Sequence, residues 1–67
     1  MDILLNNREE SFSPDKMTVS ELLVEKNFTF KLLVIKINGT LVKKDQYNSA
    51  TINHGDKVDV IHLISGG

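Results

Sequence analysis

One short helix set among strand-like runs is the feature that most restricts how this chain can fold. Met17-Thr18-Val19-Ser20-Glu21-Leu22 carries both halves of a capping box. The Thr18 hydroxyl is placed to accept from a free backbone N–H of the first turn, and the Glu21 carboxylate to accept from the N–H of Thr18. Met17 and Leu22 add the spacing of a hydrophobic staple across that start. Val19, Leu22, Leu23 and the stem of Lys26 then share one face, and Asn27 is a natural stop. The helix so predicted has about ten residues, too short to stand alone. It must pack on a sheet, and one helix covers only one face of a sheet. The other face is left to solvent or to a partner.

The strands follow from alternation and turn chemistry. Met1–Leu5 places Ile3 and Leu5 on one side and Leu4 on the other. Asn6-Asn7 suits a two-residue turn with left-handed backbone, and Arg8–Ser13 is a return strand polar enough for an edge. Ser13-Pro14-Asp15-Lys16 reads as a loop, because proline cannot sit in a central strand. After the helix, Phe28–Lys31 connects to Leu32–Ile37, whose run of β-branched residues predicts a central strand. Leu33, Ile35 and Ile37 face the core there, while Leu32, Val34 and Lys36 face outward. Asn38-Gly39 is the strongest hairpin signal in the chain and leads to Thr40–Lys43. Lys44–Ala50 is irregular, anchored by Tyr47; Ile52 is a further core contact. Asn53-His54-Gly55-Asp56 is a turn, and Lys57–Ile64 is the last strand.

The predicted core is Ile3, Leu5, Val19, Leu22, Leu23, Leu33, Ile35, Ile37, Tyr47, Ile52, Val58, Val60 and Ile64. The first and last strands can lie parallel and side by side in the middle, with the helix as a right-handed crossover. The fold class is therefore α+β: a β-grasp, or ubiquitin-like, mixed sheet of four to five strands with one helix on one face. Residues 1–64 are expected to be this one domain, and 65–67 a flexible tail.

Charge and composition exclude several roles. Eight basic against nine acidic residues give a net charge of −1, which argues against a nucleic-acid binder. The chain has no cysteine, so neither disulfides nor a thiolate metal site can hold it together. It has no apolar run of about 18 residues and no basic-then-apolar leader, so a cytoplasmic location is expected. His54 and His62 have no third ligand at useful spacing, and no metal site is expected; His62, near the tail, is a candidate partner contact. Glu9-Glu10 and Lys43-Lys44 read as solvated charge, and Asp45 and Asp56 as turn residues rather than an acid/base pair. Nothing resembles a phosphate loop or a nucleophile–base set. No catalytic residue is predicted, and the chain is not expected to catalyse by itself.

The functional candidate is the end. Ser65-Gly66-Gly67 follows the last strand directly. Three extended residues reach at most about 10 Å, enough to carry a carboxylate into another protein's active site. Without a Cβ, glycine lets the backbone pass a narrow channel and leaves the terminal carbonyl unhindered. The Gly67 carboxylate is then the reactive group; a flexible appendage is the alternative. Leu4, Val34, Ile61 and Leu63 fall on the outward face as a candidate partner-binding surface. Isolated exposed aliphatics are the alternative there, and a one-residue change of register would exchange the faces.

These residues resemble a known family. Met1–Asn6, Thr18-Val19 with Leu22-Leu23, Ile37-Asn38 followed by Leu41-Val42, Gly55-Asp56 before the last strand, and Gly66-Gly67 together look like the ThiS sulfur carriers of thiamine biosynthesis. The resemblance spans essentially the whole chain. Gly55-Asp56 and the diglycine are shared with molybdopterin-synthase small subunits and other sulfur carriers, while the short length and compact loops favour ThiS. Ser65 departs from the alanine or other small residue common there. The resemblance implies that a ThiF-type adenylating enzyme uses ATP and Mg²⁺ to turn the Gly67 carboxylate into an acyl-adenylate; the carrier itself would bind no cofactor. A persulfide relayed from a cysteine desulfurase would displace AMP and leave a thiocarboxylate. Thiazole synthase would take that sulfur together with a carbon chain derived from deoxyxylulose phosphate and a dehydroglycine fragment. The free carrier is expected to be monomeric. The alternatives are delivery of sulfur to molybdopterin, tRNA thiolation or cysteine synthesis, a ubiquitin-like modifier captured by lysine, and a non-covalent interaction module.

Overall fold

The computed structural model describes residues 1–29 and 32–63. In chain order these form β1 (Asp2–Leu5), β2 (Arg8–Ser11), β3 (Lys16–Thr18), α1 (Val19–Glu25), β4 (Leu33–Ile37), β5 (Thr40–Val42), a 3₁₀ turn (Lys44–Gln46), β6 (Thr51–Asn53) and β7 (Lys57–His62). The main sheet has five strands in the order β2-β1-β7-β4-β5, and β3 and β6 make a separate two-stranded ladder. β1 and β7 are parallel at the centre; the other pairs are antiparallel. This is the β-grasp arrangement.

Both predicted hairpins rest on left-handed backbone. Asn6 and Asn7 have φ of 52° and 67°, and Asn38 and Gly39 have 50° and 83°, the signs that a two-residue turn needs to match strand twist. The helix begins where the capping box puts it. Thr18 Oγ1 accepts from the Glu21 N–H at 3.1 Å, and Glu21 Oε1 accepts from the Thr18 N–H at 2.8 Å. The remaining first-turn donors are met from elsewhere: Val19 N–H donates to the Ala50 carbonyl and Ser20 N–H to that of Tyr47. At the other end Asn27, at φ 56°, closes the helix. Its N–H donates to Val24 and that of Phe28 to Leu23, the paired bonds of a Schellman motif.

Several boundaries differ from the sequence expectation. The helix has seven residues rather than about ten, because the closing bonds at Asn27 consume its last carbonyls. The return strand stops at Ser11 rather than Ser13, β4 begins at Leu33 rather than Leu32, and β5 ends at Val42 rather than Lys43. Lys16 belongs to a strand rather than a loop: β3 pairs with β6, Met17 opposite Ile52. β7 runs to His62 within the described residues. Ile64 and the tail residues Ser65, Gly66 and Gly67 lie outside them.

The core lies between α1 and the sheet. Ile3, Leu5, Met17, Val19, Leu22, Ile35, Val42, Ile52, Val58 and Val60 are its buried apolar residues, with Leu23, Leu33, Ile37, Tyr47 and Phe28 packed partly against them. Met17 and Val42 were absent from the predicted set. Met17 enters because β3 carries it inward opposite Ile52, and Val42 because β5 places it opposite Ile35. Glu10, expected as solvated charge, instead binds Lys26 Nζ at 2.6 Å with both side chains about 30% exposed, tying the end of α1 to the edge strand. Asp56 joins two turns: Oδ1 accepts from Asn38 Nδ2 at 3.0 Å and Oδ2 from the Asn53 N–H at 2.8 Å. Among the described residues, no helix is long and apolar enough to cross a membrane.

Candidate functional site at the carboxyl end of β7

The open face of the sheet can be assembled row by row from the strand register. Asp59 of β7 stands opposite Lys36 of β4, and Lys36 opposite Leu41 of β5. The next row is Ile61 opposite Val34. One step further, the Leu63 N–H donates to the Leu32 carbonyl at 2.9 Å, so these two extend the ladder toward the chain end. Leu32, Leu41, Ile61 and Leu63 are 48%, 54%, 45% and 46% exposed. Val34 between them is half-buried. Apolar surface is thus gathered at the carboxyl end of β7.

Of the four residues predicted for the partner-binding surface, the structure brings Val34, Ile61 and Leu63 together. Leu4 is also exposed on the open face, but it stands beside Lys57 in the parallel β1–β7 register and opposite Glu9 in β2. Four residue steps along β7 separate that row from Ile61, about 13 Å at strand rise. Leu32 and Leu41 complete the group in its place. Leu32 had already been read as outward-facing. Leu41 carried an alternation signal in the three-residue β5, and its row was fixed only by pairing with Lys36.

The same end carries a groove of about 750 Å³ whose lining includes Phe28, Leu32, Val34, Leu41, Lys43, Lys44, Tyr47 and Leu63. Two lysines therefore line an otherwise largely apolar depression. Asn6 supports this end from the β1 side, its Oδ1 accepting the Val60 N–H at 2.8 Å where β1 itself has ended. His62 lies on β7 opposite Leu33 and is exposed.

The opposite end of the sheet is acidic. Asp2, Glu9, Glu10, Ser11 and His54 line a second depression. The Ser11 hydroxyl donates to Asp2 Oδ1 at 2.6 Å, and the Asp2 N–H donates to His54 Nδ1 at 2.9 Å. The Ser11 hydrogen bond is the main cause holding the Asp2 carboxyl below its ordinary value; desolvation opposes it, and the electrostatic influence of His54 and of the charged amino terminus assists. His54 is thus occupied as an acceptor for backbone. Among the described residues no three His, Asp or Glu side chains are grouped to hold a metal ion.

The described residues thus present an exposed apolar surface at the carboxyl end of β7. The ThiS family model matches residues 3–67. The chain belongs to the ThiS family. A thiazole synthase of Paramagnetospirillum magneticum is 33% identical over 67 residues, all of this chain and 20% of that relative's length; the chain thus spans one-fifth of it. An uncharacterized protein of Trieres chinensis is 25% identical over 61 residues, 91% of this chain and 84% of its own. Among solved structures, the crystal structure of the ThiS thiamine biosynthesis protein of Geobacter metallireducens superposes with a TM-score of 0.89 at 20% identity, covering all of both chains. A solution structure of a thiamine biosynthesis protein from that organism gives 0.81, covering all of this chain and 88% of the other. The two structures bear on the fold, which the ThiS family member described here shares.

Proposed function

We propose that this chain is a sulfur carrier of thiamine biosynthesis whose reacting group is the Gly67 carboxylate. The observation that carries this reading is a family match that runs to residue 67 and so takes in the terminal diglycine. The relative named thiazole synthase, alignable over the whole of this chain, supports the thiazole branch over molybdopterin, tRNA or cysteine as the destination of the sulfur.

The chemistry divides between carrier and partners. A carboxylate is a poor electrophile. A ThiF-type adenylating enzyme, with ATP and Mg²⁺, lets the Gly67 carboxylate attack the α-phosphorus, and pyrophosphate leaves. The acyl-adenylate so formed has AMP as a good leaving group. A persulfide sulfur supplied through a cysteine desulfurase displaces AMP, and a thiol cleaves the resulting sulfur–sulfur bond to leave the sulfur on Gly67. Thiazole synthase then accepts it. The carrier contributes reach and docking: Val34, Ile61 and Leu63, joined by Leu32 and Leu41, are the proposed contact surface, with Lys43 and Lys44 lining the groove there. Leu4 would contribute only to a partner broad enough to cover both rows.

Intact mass tests this reading. After incubation with the adenylating enzyme, ATP, Mg²⁺ and a persulfide donor, the chain should gain about 16 Da, the exchange of oxygen for sulfur. Removing Gly67 should abolish the gain without altering cooperative unfolding, since the buried residues of the described chain all lie between Ile3 and Val60. Lysine conjugates on a gel instead of that gain would mean a protein modifier, and no covalent change would mean a non-covalent module.

A further inference from the structure

Asn38-Gly39 is the sequence at which a protein backbone most readily attacks a side-chain amide, because glycine leaves the attacking nitrogen unhindered. Around Gly39 there is open space, with nothing within 4 Å of where a Cβ would be, and both turn residues are exposed. Sterics therefore do not protect this bond. The Asn38 carboxamide is instead held at both ends: Nδ2 donates to Asp56 Oδ1 at 3.0 Å, and Oδ1 accepts the Lys57 N–H at 2.8 Å. Asp56 is itself fixed by accepting the Asn53 N–H. To react, the carboxamide must leave both partners and turn toward the Gly39 nitrogen.

We propose that Asn38 is a latent deamidation site and that the Asp56 carboxylate is the positioning group that keeps it unreacted. When the clamp opens, the Gly39 nitrogen bonds to Cγ of Asn38 and gives up its proton, the Cγ–Nδ2 bond breaks, and ammonia departs. Water then opens the resulting succinimide to an aspartyl or isoaspartyl residue. Water enters and ammonia leaves, with no oxidant or reductant.

The product cannot restore the clamp. A carboxylate at position 38 would meet that of Asp56 at hydrogen-bond distance with no proton between them, and like charges there repel. The isoaspartyl form also lengthens the backbone of a two-residue turn whose length sets the register of the hairpin. β5 would lose its pairing, and with it the burial of Val42 and the position of Leu41. Asp56, to which the proposed sulfur chemistry assigns no step, acquires a role in chemical durability.

The test follows the rate of conversion at Asn38 by peptide mapping, read as a gain of about 1 Da, in mildly alkaline buffer at constant temperature. A short peptide of residues 34–43 gives the unprotected rate. The folded chain should convert far more slowly than the peptide. Asp56→Ala should convert roughly ten- to a hundredfold faster than the wild type, the population change expected on losing a hydrogen bond to a charged group. Wild-type protein in enough urea to match that variant's unfolding equilibrium should remain slower than the variant. If Asp56→Ala does not fold, Asp56→Asn, which keeps one neutral acceptor, should fall between wild type and peptide. Equal rates in folded chain and peptide would overturn the proposal. So would variants no faster than wild type, or urea-matched wild type as fast as the variant.

Discussion

Leu4 and Ile61 offer a matched pair for locating the docking surface, because they are nearly equally exposed, at 40% and 45%, yet stand in different rows. Fully burying a large aliphatic side chain is worth about 1.5–3 kcal/mol. Ile61 has a little over half of its surface withdrawn from water, so Ile61→Ala should lower stability by about 1 kcal/mol. In a domain of this size that is about 4–8 °C in Tm. Leu4→Ala should cost much the same, since its exposure is similar. The remaining surface of Ile61 is what a partner would cover. Losing it should weaken binding by about 1 kcal/mol, or roughly three- to tenfold in Kd. Leu4, about 13 Å away along β7, should leave Kd within about twofold. Calorimetric titration of each variant onto the adenylating enzyme, beside thermal unfolding of the free chain, separates the two effects. If Leu4→Ala weakens binding while Ile61→Ala does not, the contact lies at the acidic end and the row assignment is wrong. If Ile61→Ala lowers Tm as far as a core truncation does, the face assignment itself is inverted.

The other predictions concern the scaffold. Ile52 is fully buried at the junction of β6 with β3, and Ile52→Ala should cost about 2–5 kcal/mol in urea unfolding; a loss under about 1 kcal/mol would mean that the small ladder is dispensable. Thr18→Ala removes the acceptor of the capping box and should lower stability by about 1 kcal/mol, with Thr18→Ser recovering most of it. Asp2 has a native pKa depressed below 3.8, first through Ser11, so it stabilises the folded state above that value, and the contribution is lost as pH falls through the lower native value. Ser11→Ala should therefore flatten the acid limb of the stability curve, and its curve should meet that of the wild type at the acidic extreme. Parallel curves across the whole acid range would show that this hydrogen bond does not govern the carboxyl.

The legible parts of the chain were those in which a few neighbouring residues decide the outcome. Two-residue turns at Asn6-Asn7 and Asn38-Gly39 need left-handed backbone, and Asn and Gly supply it at low cost. The helix start at Thr18 is fixed by side chains within three residues. Alternation along single strands placed Ile3, Leu5, Ile35, Val58 and Val60 inward and Val34, Ile61 and Leu63 outward, as observed. The illegible parts depend on distant segments. Lys16–Thr18 has too little apolar pattern to read as a strand beside Pro14, and becomes one only because Thr51–Asn53 arrives alongside. Glu10 looked like solvent-facing charge until the end of α1 brought Lys26 to it.

What the sequence determined by itself was the helix and the five strands of the main sheet, the inward and outward sides of most of them, and the family pattern that takes in Gly66-Gly67. What only the tertiary structure decided was which outward residues are neighbours. Alternation has period two and assigns a face, but it says nothing about how far one strand is displaced along the next. That displacement comes from the pairing of β1 with β7, strands at opposite ends of the chain. It sets Leu4 beside Lys57, while the pairing of β4 with β7 brings Val34 to Ile61, next to Leu63 at the carboxyl end of β7.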